Sequence, residues 1–192
     1  HATPDRAMGF CLFNNVAITA RHLQRVHGLE RIAIIDWDVH HGNGTQDIFY
    51  ADPSVLFFSI HQSPLYPGTG LAKETGTGEG AGTTLNCPMP PYSGVADYVQ
   101  RFREQLQPTL VEFKPDCIFI SAGFDAHQRD PLSQMNMTSE GFANLTEIVQ
   151  EMADTACQGR IVSLLEGGYD LEGLSTSVLA HLTRLSDSDN QI

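Results

Sequence analysis

The stretch IIDWDVHHGNG, Ile34 to Gly44, decides how this chain is read. It begins as an apolar strand, turns acidic and imidazole-rich, and leaves through two glycines. Strand side chains alternate between faces, so Asp36, Asp38 and His40 are expected on one face and Trp37, Val39 and His41 on the other. Two carboxylates and an imidazole at the end of a buried strand cost free energy unless they are paired. A cation would pair all three at once. The alternatives are a local salt bridge at Asp36 and a satisfied core histidine at His40.

Outward from this run, strand-like and helical patterns alternate. Upstream, Asn14–His27 carries Val16, Ala20, Leu23 and Val26 near helical spacing and stops at Gly28. Downstream, VLFFSIH follows Asp52-Pro53, and TTLNCPM is a weaker strand candidate. Val95–Phe113 places Tyr98, Val99, Phe102, Leu106 and Leu110 on one helical face. DCIFISAG, Asp116–Gly123, reads as a buried strand from its unbroken apolar run. Glu140–Gln158 is a helix capped by Thr138-Ser139 and closed at Gly159. IVSLLEGGY is the last strand, a helix near Glu172–Leu185 follows, and the polar end SDSDNQI is expected to fray. This alternation predicts an α/β protein, three layers αβα around a mostly parallel sheet. Two stretches lack periodicity, His61–Gly82 and Ala126–Thr138, and are expected to be functional loops. With no repeat or linker, residues 1–192 are expected to form a single domain.

Composition bounds the function. At 41% hydrophobic and 18% charged residues, the chain reads as an ordinary globular protein. No apolar run approaches the ~18–20 residues of a membrane span. The net charge of −12 is spread along the sequence, which disfavours nucleic acid and welcomes a cationic substrate. Cys11, Cys87, Cys117 and Cys157 show no paired spacing, so they are expected as thiols in a reducing, cytoplasmic compartment. No secretory signal is visible.

In open parallel sheets, ligands bind beyond the carboxyl ends of the strands. Here those ends read DWDVHH, SIH, SAGFD and EGGY, and the strands' polar residues concentrate there. Asp38, His40 and Asp125 would make a one-imidazole, two-carboxylate set with an open position, suited to Zn²⁺ or Fe²⁺ as a Lewis acid. The alternative for Asp125 is a loop cap. Asp36 would orient an imidazole or help hold a structural cation. Tyr169, after Gly167-Gly168, would aim its hydroxyl at a developing oxyanion, or else sit as a core tyrosine. A terminal histidine such as His1 reads from composition alone as disordered or as a remnant.

With these residues in hand, the chain resembles the zinc-dependent histone deacetylase family of the arginase–deacetylase fold, with class II or bacterial amidohydrolase character. The matching motifs are GFCLFNNVA (Gly9–Ala17), DWDVHHGNGTQ (Asp36–Gln46), SIHQSPLYPGTG (Ser59–Gly70), SAGFDAH (Ser121–His127) and LEGGY (Leu165–Tyr169), in family order. The resemblance implies that Asp38, His40 and Asp125 are the zinc ligands and that Tyr169 polarises the acyl carbonyl. It implies that His1 is the second histidine of the family's tandem pair, general base and then acid, with Asn43 as its hydrogen-bond partner. Phe10 and Tyr66 match the aromatic walls of the acyl-lysine tunnel, Tyr66 standing where phenylalanine is frequent, and Gly9 lines the acyl chain. Asp36, Asp38, His40, Ser59 and Ile60 resemble a buried K⁺ or Na⁺ site, and Phe49, Asp52 and Val55 parts of a second.

The implied partners are an acylated lysine peptide or an acylated polyamine. The resemblance also implies that this chain is the C-terminal portion of a longer catalytic domain, without its N-terminal strands, first tandem histidine and rim loop. Weak or no turnover is therefore expected of the isolated 192 residues. Three competing readings share the site: an acetylpolyamine amidohydrolase, a catalytically silent acyl-lysine-binding module, and a binuclear manganese enzyme of the arginase type. The single DxDxHH run and the GGY tyrosine favour the mononuclear branch. Acyl length, zinc against iron, and the oligomer stay open.

Overall fold

In the computed structural model, residues 1–187 are described. They form five parallel strands flanked by helices: α1 (Asn15–His27), β1 (Ile32–Asp36), α2 (Asn43–Phe49), β2 (Val55–Gln62), β3 (Thr84–Met89), α3 (Val95–Arg101), α4 (Gln107–Phe113), β4 (Cys117–Ala122), α5 (Ser139–Cys157), β5 (Ile161–Leu165) and α6 (Leu171–Asp187). Residues 188–192 of the polar end lie outside the described residues, and Ser186 and Asp187 close α6. The sheet order is β3-β2-β1-β4-β5, so the expected three-layer α/β architecture holds, with every strand pair parallel. No helix is long and apolar enough to cross a membrane among the described residues.

Local sequence explains most boundaries. Asn14 caps α1 by accepting from the Ala17 N–H, and Gly28, at φ +68°, ends it in the left-handed region. Thr138 caps α5 in the same way through the Gly141 N–H. The helix expected over Val95–Phe113 is continuous but contains a π segment at Phe102–Leu106. Tyr98, Phe102, Leu106 and Leu110 repeat every four residues, which overshoots the 3.6-residue turn; the wider π turn absorbs the excess, and all four are buried. The seven-residue helix α2 was not expected, because its residues Asn43–Phe49 carry neither apolar period nor side-chain cap.

Two apolar layers sandwich the sheet. Ala33, Ile35, Trp37 and Val39 pack with Phe102, Phe142 and Leu145 from the α3–α4 and α5 side. Ile32 and Ile34 face α1 and α2 through Val16, Ala20 and Phe49. From β1 the chain runs to β2 and β3 on one side, then crosses to β4 on the other. The order therefore switches between β1 and β4, where a crevice opens at the carboxyl ends. On the α1 face of that end, Asp36 lies in register between Ser59 and Ser121, so an apolar face turns polar at its last row.

Candidate metal centre

The strand β1 ends at Asp36, before the Asp38–His41 part of the run over which alternation was expected. Alternation nevertheless continues through Val39, with Trp37 and Val39 in the apolar core and Asp36, Asp38 and His40 beside the crevice. It fails at His41, which was expected on the Trp37 side. The ring of His41 packs instead against His61, 4.8 Å between centroids, and near Phe57. Its nitrogens meet the Thr69 hydroxyl at 2.8 Å and Gln46 Oε1 at 3.0 Å, so both are occupied by protein groups. The physical reason is that backbone beyond Asp36 has left the strand conformation.

Asp38, His40 and Asp125 converge. His40 Nδ1 lies 3.1 Å from Asp38 Oδ1 and 3.0 Å from Asp125 Oδ2. The remaining carboxylate oxygens are anchored by main-chain N–H groups: Gly167 donates to Asp38 Oδ2 (2.8 Å) and Val39 to Asp125 Oδ1 (2.8 Å). Burial alone would lower the His40 pKa, but hydrogen bonds to Asp125 and Asp38 and their charges overcome it and raise it to about 10. Burial, then the charge of Asp38, pushes Asp125 up to about 7. Asp36 is raised well above the carboxylate range by burial and by the charges of Asp38 and Glu166. So many buried carboxylates around one imidazole favour positive charge at their centre. Nitrogen and carboxylate donors with one open side fit a Zn²⁺ or Fe²⁺ ion. Gly167 closes that site from the β5 side: a Cβ there would stand 2.6 Å from Asp38 Oδ2 and closer still to Asp125 Oδ2.

His1, expected from composition to be disordered, is placed. One of its ring nitrogens lies with ligand atoms of Asp38 and His40 in a group whose members are all within 4.8 Å of one another. Its Nδ1–H donates to Asn43 Oδ1 at 2.9 Å, which leaves Nε2 with its lone pair. Gly9, at φ +57°, is required beside it, since a Cβ would collide with the His1 ring. Tyr66 sits edge-on to His1 and His40, at 5.4 and 6.3 Å between ring centroids. Phe10, on the outside of the crevice, meets Tyr169 edge-on at 6.1 Å. Tyr169 is 38% exposed. Burial and the charges of Asp125 and Asp38 raise its phenol above the ordinary tyrosine value. A cleft of about 460 Å³ connects His1, Gly9, Phe10, Asp38, Gly167 and Tyr169.

The residues expected around monovalent cations are placed less uniformly. Asp36 Oδ1 accepts the Asp38 N–H at 3.1 Å, and Asp38 Oδ1 accepts the His40 N–H at 2.8 Å. His61 Nε2 donates to the Gly70 carbonyl, so Ser59 Oγ, in register with Asp36, must donate to His61 Nδ1. Ile60 follows in β2 with its side chain in the opposite core. Phe49, Asp52 and Val55 flank the α2–β2 connection. There the Asp52 carboxylate is taken by Arg21 and by Ser54, and the Arg21 guanidinium lies 4.7 Å above the Phe49 ring. Sequence reasoning gave Glu166 no role. It lies at the crevice with Ser121, and burial and the Asp38 charge raise it to about 7. An ionisable residue directly before a double glycine at a strand end was the available signal.

The fold and the site together define a parallel α/β protein with a carboxylate–imidazole centre at its topological switch point. Residues 1–185 match the model of the histone deacetylase domain. The chain is 50% identical over 190 residues to histone deacetylase 14, chloroplastic, of Arabidopsis thaliana, covering 99% of this chain and 45% of that protein. It is 46% identical over 184 residues to polyamine deacetylase HDAC10 of Homo sapiens, covering 93% of this chain and 27% of that one. The crystal structure of the HDA15 HD domain superposes with a TM-score of 0.89 at 40% identity, over 97% of this chain and 52% of that chain. The chain belongs to the histone deacetylase family, a family of hydrolytic deacetylases. It spans about half or less of the length of these relatives.

Proposed function

We propose that the protein of which these residues are part hydrolyses the amide of an N-acyl-lysine or a related acylated amine, with a divalent metal held by Asp38, His40 and Asp125. The observation that carries this is the convergence of His40 Nδ1 on both carboxylates, 3.0 and 3.1 Å away, with His1 in reach. Zn²⁺, or Fe²⁺ on the same donors, would supply Lewis acidity to an acyl oxygen and to water. The protein's own residues do the rest. His1 Nε2, oriented through Nδ1 by Asn43, accepts a proton from the attacking water and returns it to the departing amine. Tyr169 donates its hydroxyl proton in a hydrogen bond to the developing oxyanion; a raised phenol pKa keeps that proton in place. Phe10, Gly9 and Tyr66 line the approach of the acyl chain. Asp36 with Asp38, His40, Ser59 and Ile60 would hold a structural K⁺ or Na⁺, and Phe49, Asp52 and Val55 would form part of a second such site. The unpaired spacing of the four cysteines supports a reducing compartment such as the cytoplasm as its location.

A second substrate reading has support of its own. The net charge of −12 and the likeness to a polyamine deacetylase favour a cationic acetylpolyamine as the amine. The test is turnover of an acetyl-lysine peptide against an acetylpolyamine by the full-length protein, with metal content measured on the same sample. Metal-loaded full-length protein that cleaves neither amide would refute the proposal.

A further inference from the structure

Gly167 is pinned through its N–H and its carbonyl, but Gly168, at φ +151°, lies in a region of backbone freedom open mainly to glycine and directly precedes Tyr169. The phenol itself is loosely held: it is partly exposed, and its aromatic neighbour Phe10 is 89% exposed. Something else must fix where Tyr169 points. The structure has such a device in the loop after β4. Asp130 is buried, and its two carboxylate oxygens serve two different main-chain donors. Oδ1 accepts the Leu132 N–H at 2.9 Å, which shapes its own loop, and Oδ2 accepts the Tyr169 N–H at 2.7 Å. Beside it, Arg129 pairs with Asp170 at 3.2 Å and Glu172 at 2.8 Å, at the start of α6. The same loop begins with Asp125 and is tied back to it, since Ser133 Oγ donates to the Asp125 carbonyl at 2.6 Å.

We propose that Asp130 is a positioning residue for the reaction: its buried carboxylate, by accepting the Tyr169 N–H, holds the tyrosine at a set distance from the Asp125 centre. The proposal rests on the reading of Tyr169 as the oxyanion donor. It follows that Asp130 acts through Tyr169 and not through the metal. Replacing one carboxylate oxygen by an amide N–H₂, as in Asp130→Asn, sets a donor against a donor and releases one of the two loops.

The test is a double-mutant cycle in the full-length, metal-loaded protein with Asp130→Asn, Tyr169→Phe and the pair. Asp130→Asn is expected to lower kcat by about a hundredfold, the scale of an ångström-sized misplacement, with KM and bound metal little changed. In the Tyr169→Phe background, where no hydroxyl remains to misplace, the same change is expected to cost almost nothing. Equal penalties in both backgrounds, or loss of metal from Asp130→Asn, would overturn the proposal. If Tyr169→Phe itself leaves kcat unchanged, the reading of Tyr169 fails first and this inference with it. Should Asp130→Asn fold poorly, replacement of Tyr169 by its α-hydroxy acid removes the N–H alone. A matching drop in kcat supports the proposal, and unchanged kcat refutes it.

Discussion

Gly167→Ala is the sharpest perturbation of the metal centre that substitutes none of its ligands. A Cβ at this position would stand 2.6 Å from Asp38 Oδ2, whereas ordinary contact begins near 3.4 Å, so that oxygen must retreat by about 0.8 Å, and Asp125 Oδ2 by more. The glycine cannot yield instead. Its N–H is bound to Asp38 at 2.8 Å, and its carbonyl accepts the Phe124 N–H at 2.7 Å. A displacement of this size exceeds the roughly 0.5 Å tolerance of a preorganised site. Disturbance of groups that orient metal ligands costs about 10–100-fold in metal affinity, or about 1.4–2.8 kcal/mol. The overpacking adds about 1–3 kcal/mol of destabilisation. The assay is competition for Zn²⁺ against a chromogenic chelator by the full-length protein, with thermal melting of the metal-loaded form alongside. Wild-type metal affinity in a folded Gly167→Ala protein would refute the reasoning, because the two carboxylates could then not be facing one ion across this glycine.

Other outcomes follow from the same geometry. Asn43→Ala removes the acceptor that fixes the His1 tautomer at 2.9 Å; kcat is expected to fall about tenfold or more with KM unchanged, and unchanged kcat would detach His1 from proton transfer. Chelation should abolish turnover and lower the melting temperature, with Zn²⁺ restoring both; a metal at 1,000 times its Kd contributes about 4 kcal/mol, so an unmoved melting curve would mean the ion does not bind the folded chain. His181 gives a pH dependence remote from the centre. Burial lowers its pKa to about 4, below the unfolded value of 6.5, so the unfolded chain binds the extra proton first and stability falls as pH drops through that window. About 2 kcal/mol of this loss lies between pH 7 and pH 5. Urea unfolding of His181→Gln should show a correspondingly shallower acid loss, and identical slopes for both proteins would refute the assignment.

Most of the fold was legible because its cues are local. The caps at Asn14 and Thr138, the stop at Gly28 and the apolar runs of β1, β2 and β4 each act within a few residues. The misses share a cause. Helix α2 has no amphipathic signal since Asn43, Thr45 and Gln46, three of its seven residues, are polar side chains buried against the rest of the fold. The π segment between α3 and α4 arises because packing against the sheet selects one face over ideal helical geometry. His41 left the predicted alternation because its partners, Thr69, Gln46 and His61, come from α2, β2 and the loop after it.

The sequence by itself determined the chemistry available: carboxylates and an imidazole on one side of a short run, ended by glycines, with a tyrosine after a double glycine. Period-two geometry is a property of neighbouring residues, so Asp36, Asp38 and His40 could be grouped without knowing the fold. What only the tertiary structure decided is which distant groups complete them. Asp125 joins His40 because β4 lies next to β1 across the switch point, and Asn43 reaches His1 from 42 residues away. The Asp130 carboxylate meets the Tyr169 N–H across 39 residues of sequence. Such pairings depend on strand order and loop path, which are set by the burial of whole faces rather than by any residue's neighbours.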